Sequence, residues 1–229
     1  MTPIVSVIIP AYNEAQSIGL VVGDIPRDLV RDILVVNNGS TDQTEENARK
    51  AGALVLSEPR SGYGRACLKG LAFCQTLSPP PDIIIFLDGD YSDFPEEMPA
   101  LIQPILDQKA DLVIGSRNRG HAEKGSITPQ QIFGNKLATF LLKKLYGVSY
   151  SDLGPFRAIR YDRLMNLNMT DKNYGWTIEM QIKAAKQGLL YQEIPVRYRQ
   201  RIGVSKVSGT LKGTIMAGYK ILFTIAKYL

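Results

Sequence analysis

An α/β fold with a mostly parallel central sheet is what this sequence predicts, and three observations predict it. Ile83 to Leu87 is an unbroken apolar, uncharged run, the composition of a strand covered on both faces by helices. Short apolar runs alternate with helical patterns from the first residues onward, as parallel strands joined by crossover helices require. Finally, the apolar runs end in polar, glycine-bearing loops, the place where ligands gather in such sheets.

Ile4 to Ile9 reads as the first strand. It ends in Pro10-Ala11-Tyr12-Asn13-Glu14, ahead of a short amphipathic helix through about Val22, and no dinucleotide-type glycine fingerprint stands there. Asp32 to Val36 makes the second strand and leads into Asn37-Asn38-Gly39-Ser40-Thr41-Asp42. Ser40 followed by Gln43 predicts a capping box on a helix running to Lys50, with Gly52 as its stop. Ala53 to Leu56 is a third strand, and Arg60-Ser61-Gly62-Tyr63-Gly64-Arg65 opens the next helix. Its free N–H groups and two arginines would suit a phosphate, although two glycines also make a plain tight turn. Ser78-Pro79-Pro80-Pro81 is a stiff surface connection into the central strand.

Beyond that strand, Asp93, Pro95 and Glu96 start a helix through about Asp107, and Asp111 to Ile114 returns as a strand into Gly115-Ser116-Arg117. Asn118 to Gln131 is polar and long, which predicts a substrate loop or lid; it holds the only histidine, His121. Phe133 to Tyr146 and Gly175 to Lys186 have helical period, and Gln192 to Tyr198 is a late strand. From Thr210 to Leu229, apolar Leu211, Ile215, Leu222 and Ile225 recur near helical spacing among Lys212, Lys220 and Lys227, an amphipathic basic helix.

The 229 residues, 45% hydrophobic, suffice for a real core, and no linker divides them, so one compact domain is expected. Cys67 and Cys74 fall seven apart in a helical stretch, about 10 Å between Cα atoms, too far for a disulfide. Reduced thiols in a cytoplasmic setting follow. With no basic leader and no run of apolar residues long enough to span a bilayer, neither export signal nor membrane span is expected. The net charge of +5 is concentrated at one end, because Pro195 to Leu229 carries seven Lys or Arg and no acid. An anionic partner is implied there, whether phosphate, nucleic acid or lipid surface.

Asp88 and Asp90 close the central run. In an extended segment residues two apart point to the same side, so the two carboxylates converge on one cation, while Gly89 lets a bulky ligand approach the backbone. Two oxygen ligands with open positions suit Mg²⁺ or Mn²⁺ carrying a substrate diphosphate.

Taken in order, PAYNE at 10–14, NNGSTD at 37–42, GYGRACLKG at 62–70, DGD at 88–90 and GSR at 115–117 resemble the inverting glycosyltransferase family 2. Asp152-Leu153-Gly154-Pro155-Phe156-Arg157 and Arg199-Gln200-Arg201-Ile202-Gly203-Val204-Ser205-Lys206 are similar to its polyprenol-phosphate mannosyl- and glucosyltransferase branch. The resemblance implies a GT-A fold, with a catalytic domain over 1–208 and the basic helix over 209–229. It implies a nucleotide pocket lined by Pro10, Ala11, Tyr12, Glu14, Asn38, Gly62, Gly64, Asp88, Gly89 and Arg117, with Asp88 and Asp90 on the metal. Two departures stand out: Asn37-Asn38 where the family usually has two aspartates, which leaves UDP or GDP open, and Ser92-Asp93 where mannosyltransferases often have Gln, which leaves the third metal ligand open.

A polyprenyl phosphate acceptor arrives anionic and needs cations rather than a general base: Arg117, Arg157, Arg199, Arg201 and Lys206 are candidates, with Ser205 beside them. A hydroxyl acceptor would instead need a carboxylate base, Asp152 or Glu179. The cations outnumber the candidate bases and favour the phosphate. Such an acceptor implies a peripheral enzyme at the inner membrane face and no role for nucleic acid; self-association is left open. A nucleotidyltransferase, or a non-catalytic sugar-nucleotide-binding module, is the competing reading.

Overall fold

The computed structural model describes residues 3–203 and 211–229, the latter by backbone alone at 211–215 and 217. Strands β1 (Val5–Ala11), β2 (Asp32–Asn37), β3 (Leu54–Ser57), β4 (Ile83–Phe86), β5 (Leu112–Ala122), β6 (Arg157–Arg160) and β7 (Tyr191–Tyr198) form one sheet, ordered β3-β2-β1-β4-β6-β5-β7. All pairings are parallel except those of β6, which runs antiparallel between β4 and β5. Helices α1 (Ile18–Asp24), α2 (Thr44–Lys50), α3 (Tyr63–Cys74), α4 (Met98–Leu106), α5 (Pro129–Tyr146), α6 (Tyr161–Asn166), α7 (Trp176–Lys186) and α8 (Leu211–Lys227) cover it.

Strand alternation sorts the core into two layers. Ile83, Ile85 and Leu87 face one cluster with Val7, Ile9, Ile18 and Leu101, while Ile84 and Phe86 face the other with Ile8, Cys67, Leu142 and Trp176. Every residue of β4 is buried, and each such Ile or Phe contributes about 1.5–3 kcal/mol relative to an exposed one. Gly70 lets α3 approach this sheet, since a Cβ there would lie 2.7 Å from Ile8 Cγ2. Both cysteines are free and buried.

Several elements differ from the sequence expectations. Ser40 and Gln43 form no capping box; α2 begins at Thr44 without a side-chain cap on it, because Ser40 Oγ accepts instead from Asn13 N at 3.0 Å. A capping box does form at Thr128 and Gln131, on α5. The expected loop at 118–131 is strand as far as Ala122, paired with β7 across a register shift between Ser116 and His121. Polar composition concealed this because His121 and its neighbours lie on an exposed strand extension. β6 and α6 were not foreseen, β6 because it is short and carries Arg at both ends.

The C-terminal helix α8 forms, and Ile225 faces the protein, 3% exposed against the Trp176 layer. Tyr146 Oη donates to the Ile225 carbonyl at 2.6 Å, and Lys220 Nζ lies 2.9 Å from Asp171. Tyr219, Leu222 and Phe223 of α8 are exposed, as are Phe133 and Phe140 of α5. No helix among the described residues is long and apolar enough to cross a membrane.

Candidate active site

Where β1, β2 and β4 end, their loops are stitched to one another. Asn13, in a left-handed conformation at φ 53°, accepts from Thr41 N at 2.8 Å, and Glu14 N donates to Thr44 Oγ1 at 2.7 Å. Asn38 donates its amide to the carbonyls of Glu58 and Arg60, both at 2.9 Å, and accepts from Gly62 N at 2.8 Å. An aspartate could not make the first two bonds, a physical reason for Asn at this position.

A cavity of about 190 Å³ opens over these loops. Of the residues expected to contact the nucleotide, Pro10, Ala11, Tyr12, Glu14, Asn38, Gly62, Asp88 and Gly89 line it, together with Asp90 and Arg201. Gly64 does not: it backs onto the Asp171 carbonyl so closely that a Cβ would collide. Nor is the start of α3 an open phosphate cradle. Gly64 N donates to the Asn173 carbonyl at 3.2 Å, Arg65 N to the Lys172 carbonyl at 3.1 Å, and Arg60 pairs with Glu58 at 2.9 Å. The loop that spends those donors adds Asn173 and Tyr174 to the cavity wall. Neither residue was singled out from sequence, where a polar loop between two helices carries no distinguishing signal; Tyr63, also on the wall, sat between two glycines that did.

Asp88 and Asp90 converge, but through a turn beyond β4 rather than along an extended strand. Burial first, then repulsion from Asp90, raises Asp88 to a pKa of about 7, and Tyr63 Oη donates to it at 3.0 Å. Asp90 Oδ1 accepts from Ser92 N at 3.0 Å and from Ser92 Oγ, whereas Oδ2 faces Arg201 Nη1 at 3.1 Å. Ser92 thus orients Asp90. Asp93 is buried with neither carboxylate oxygen bonded among the described residues, and burial, then Asp88 and Asp90, push its pKa well up. A pair of carboxylates, Asp90 buried and Asp88 partly buried, that repel each other and already attract a guanidinium fits a divalent cation as its donor set.

A second cavity, about 320 Å³, shares Asp88, Asp90, Tyr63, Tyr174 and Arg201 with the first and continues past Arg117, Trp176 and Tyr198. Arg117 lines this cavity rather than the first, where the nucleotide pocket was expected. Its N, Nε and Nη2 donate to Asp152 at 2.9, 2.8 and 2.6 Å, and its guanidinium lies 5.1 Å from the Tyr198 ring centre. Burial alone would lower the Arg117 pKa, but Asp152 outweighs it and holds the guanidinium charged. Past Gln130, Gly134, Gly218 and Ile221 this cavity meets a groove of about 520 Å³ between α5 and α8, lined by Phe133, Leu137, Ala138 and Leu222.

The other expected site residues stand apart from both cavities. Arg157 is wholly buried and gives its donors to the carbonyls of Leu153, Gly154 and Thr177, a structural anchor rather than an acceptor cation; burial lowers its pKa to about 10. Asp152, 1% exposed, is neutralised by Arg117 and is no free base. Glu179, fully buried, accepts from Thr170 Oγ1, Asp171 N and Tyr228 Oη at 2.7, 2.7 and 2.6 Å, and pairs with Lys183 at 2.9 Å. Arg199 Nε donates to the Tyr91 carbonyl at 2.6 Å, and its guanidinium stacks 3.3 Å from the Tyr91 ring centre. Ser205 and Lys206 lie outside the described residues.

Comparison with known proteins agrees with this architecture. A model of glycosyl transferase family 2 matches residues 6–167. An uncharacterized glycosyltransferase of Mycobacterium tuberculosis is 34% identical over 93% of this chain and 94% of its own length. The undecaprenyl-phosphate mannosyltransferase of Micrococcus luteus is 30% identical over 90% and 88%, and the polyprenol monophosphomannose synthase of Mycolicibacterium smegmatis 31% over 89% and 81%. Among solved structures, glucosyl-3-phosphoglycerate synthase of Mycobacterium tuberculosis, in complex with Mn²⁺, UDP and phosphoglyceric acid, superposes with a TM-score of 0.77 at 25% identity, over 99% of this chain and 78% of that one. The same enzyme has been solved with Mg²⁺ and UDP. The fold is GT-A.

Proposed function

This chain belongs to glycosyl transferase family 2 and is a nucleotide-sugar glycosyltransferase, and from there we propose that it transfers a hexose, with inversion, from a UDP- or GDP-sugar to a polyprenyl phosphate. One observation carries the choice of acceptor: the second cavity leads from the Asp88 and Asp90 carboxylates, past Arg117 and Arg201, into the apolar groove between α5 and α8. A phosphate with a long hydrocarbon tail matches that sequence of surfaces. The names of the relatives from Micrococcus luteus and Mycolicibacterium smegmatis support the same class.

In this reading the nucleotide lies over the loops held by Asn38 and Asn13, with its diphosphate toward Asp88 and Asp90. Mg²⁺ or Mn²⁺ held by those carboxylates would neutralise the departing diphosphate. Arg201 and Arg117 hold the acceptor phosphate in line with the anomeric carbon. A phosphate oxygen forms the new bond to that carbon as its bond to the diphosphate breaks, and the electron pair leaves with the nucleoside diphosphate. The acceptor is already anionic, so no base is required. That agrees with Asp152 being tied to Arg117 and Glu179 lining neither cavity.

A panel of UDP- and GDP-hexoses, each with Mn²⁺ and a short-chain polyprenyl phosphate, tests the proposal by nucleotide release and by mass and anomeric configuration of the product. Glycosylated polyprenyl phosphate with inverted configuration is expected, and EDTA or Asp90→Asn should reduce its formation at least ~100-fold. Transfer only to water-soluble hydroxyl acceptors would overturn the acceptor assignment, and full turnover in EDTA the role of the metal.

A further inference from the structure

Asp90 offers its two oxygens unequally. Oδ1 is held by Ser92 N and Oγ, so Oδ2 is the oxygen turned toward an incoming cation, and Arg201 Nη1 is already 3.1 Å from it. The other arm of the same guanidinium, Nη2, lies 3.0 Å from Glu14 Oε1. Arg201 therefore bridges the β1 loop to the β4 loop across the mouth shared by the two cavities, whose walls it lines on both sides. Its backbone is fixed there. Ile202 N donates to the Asp90 carbonyl at 3.0 Å and Arg199 N to the Ser92 carbonyl at 2.9 Å, so the side chain, not the main chain, has freedom to turn. Its Nε is buried with no acceptor among the described residues, so the guanidinium is incompletely satisfied where it sits.

We infer that Arg201 is the resident counter-cation of the carboxylate pair, and that a divalent ion enters by displacing the guanidinium from Asp90 Oδ2. The inference rests on the metal reading above and adds a competition to it. Two cations on one carboxylate oxygen repel, so ion and guanidinium exclude each other at Oδ2. Once displaced, a planar guanidinium that lines both cavities finds bidentate partners in a diphosphate or in an acceptor phosphate. Phosphate binding and metal entry then assist each other, because each gives the other's displaced group a partner. Arg201 is in this sense a positioning residue that couples the two.

Mn²⁺ titrations followed by electron paramagnetic resonance, first without nucleotide and then with UDP or GDP, test this on the full chain. For a bridge closed about 10:1, apparent metal affinity is lowered about tenfold. Arg201→Gln should bind Mn²⁺ about tenfold more tightly than the unaltered protein, and nucleotide should enhance its Mn²⁺ affinity by a smaller factor. Arg201→Lys, whose single ammonium cannot bridge Glu14 and Asp90 in the same way, should fall between and serves if the Gln variant does not fold. Arg197→Gln removes an equal charge from the surface pair with Glu96 and Glu97 and should leave Mn²⁺ affinity unchanged. Equal or weaker Mn²⁺ binding in the folded Arg201 variants would overturn the inference while leaving the metal reading intact. Absence of Mn²⁺ binding in every protein, with or without nucleotide, would overturn both.

Discussion

Asn38 shows how much of the first cavity's wall depends on one amide. Its two donors and its acceptor join the loops after β2 and β3, and its side chain is nearly inaccessible, 8% exposed. Asn38→Ala would leave the Gly62 N–H and two carbonyls short of partners, at a cost of about 1–3 kcal/mol. Asn38→Asp should be no milder, because a carboxylate oxygen would replace the amide facing those two carbonyls. Thermal melts of both variants, with and without UDP or GDP, check this. Both should melt several degrees lower, and nucleotide should restore less of the melting temperature than in the unaltered chain. A fully stable Asn38→Asp would mean that the amide donors are dispensable.

At the scale of elements, α8 is fastened to α7 through a buried carboxylate. Burial would raise the Glu179 pKa, but hydrogen bonds from Tyr228, Lys183, Asp171 and Thr170 outweigh it and hold it below its ordinary 4.5. A carboxylate lowered by folding contributes stability that is present above its unfolded pKa and lost as pH falls through the folded one. Stability should therefore decline below about pH 4.5, and Glu179→Gln should remove about 2–3 kcal/mol at neutral pH while flattening that acid limb. Denaturant unfolding at pH 7 and at pH 4 measures both effects. Turnover by whatever fraction remains folded should be largely retained, since Glu179 touches neither cavity; a folded but inactive Glu179→Gln would reopen the hydroxyl-acceptor reading.

Across the whole molecule, α5 and α8 both carry exposed apolar side chains. Phe133 and Phe140 stand 70% and 55% exposed, Tyr219 and Phe223 62% and 47%. Phe133 and Leu222 also line the groove proposed for the polyprenyl tail, and that tail is costly to remove from a bilayer. We expect this face to rest on the membrane, with Phe133, Tyr219 and Leu222 toward lipid and Ile225 toward the core. Each Lys or Arg close to an anionic surface adds about 1 kcal/mol, so attachment should be reversible and sensitive to salt. Vesicle sedimentation with and without anionic lipid, at low and high salt, measures this. Phe133→Ser with Tyr219→Ser should weaken binding without lowering the melting temperature. Binding indifferent to lipid charge, salt and these substitutions would remove the interfacial role.

The sequence by itself determined three strands, read at 4–9, 32–36 and 83–87 and found at 5–11, 32–37 and 83–86, because an uncharged apolar run flanked by turn residues has few places to go but the middle of a sheet. It also determined that carboxylates follow β4 and that a basic amphipathic helix ends the chain. The tertiary structure alone decided how the charged residues were used. Arg117, Arg157, Arg199 and Arg201 are indistinguishable as cations in a sequence, yet one neutralises Asp152, one is spent on buried carbonyls, one stacks on Tyr91, and only Arg201 reaches both cavities. Periodicity reports which face of an element is buried. The meeting of Arg201 with Glu14, 187 positions away, depends on how distant elements pack, and local patterns carry no record of that.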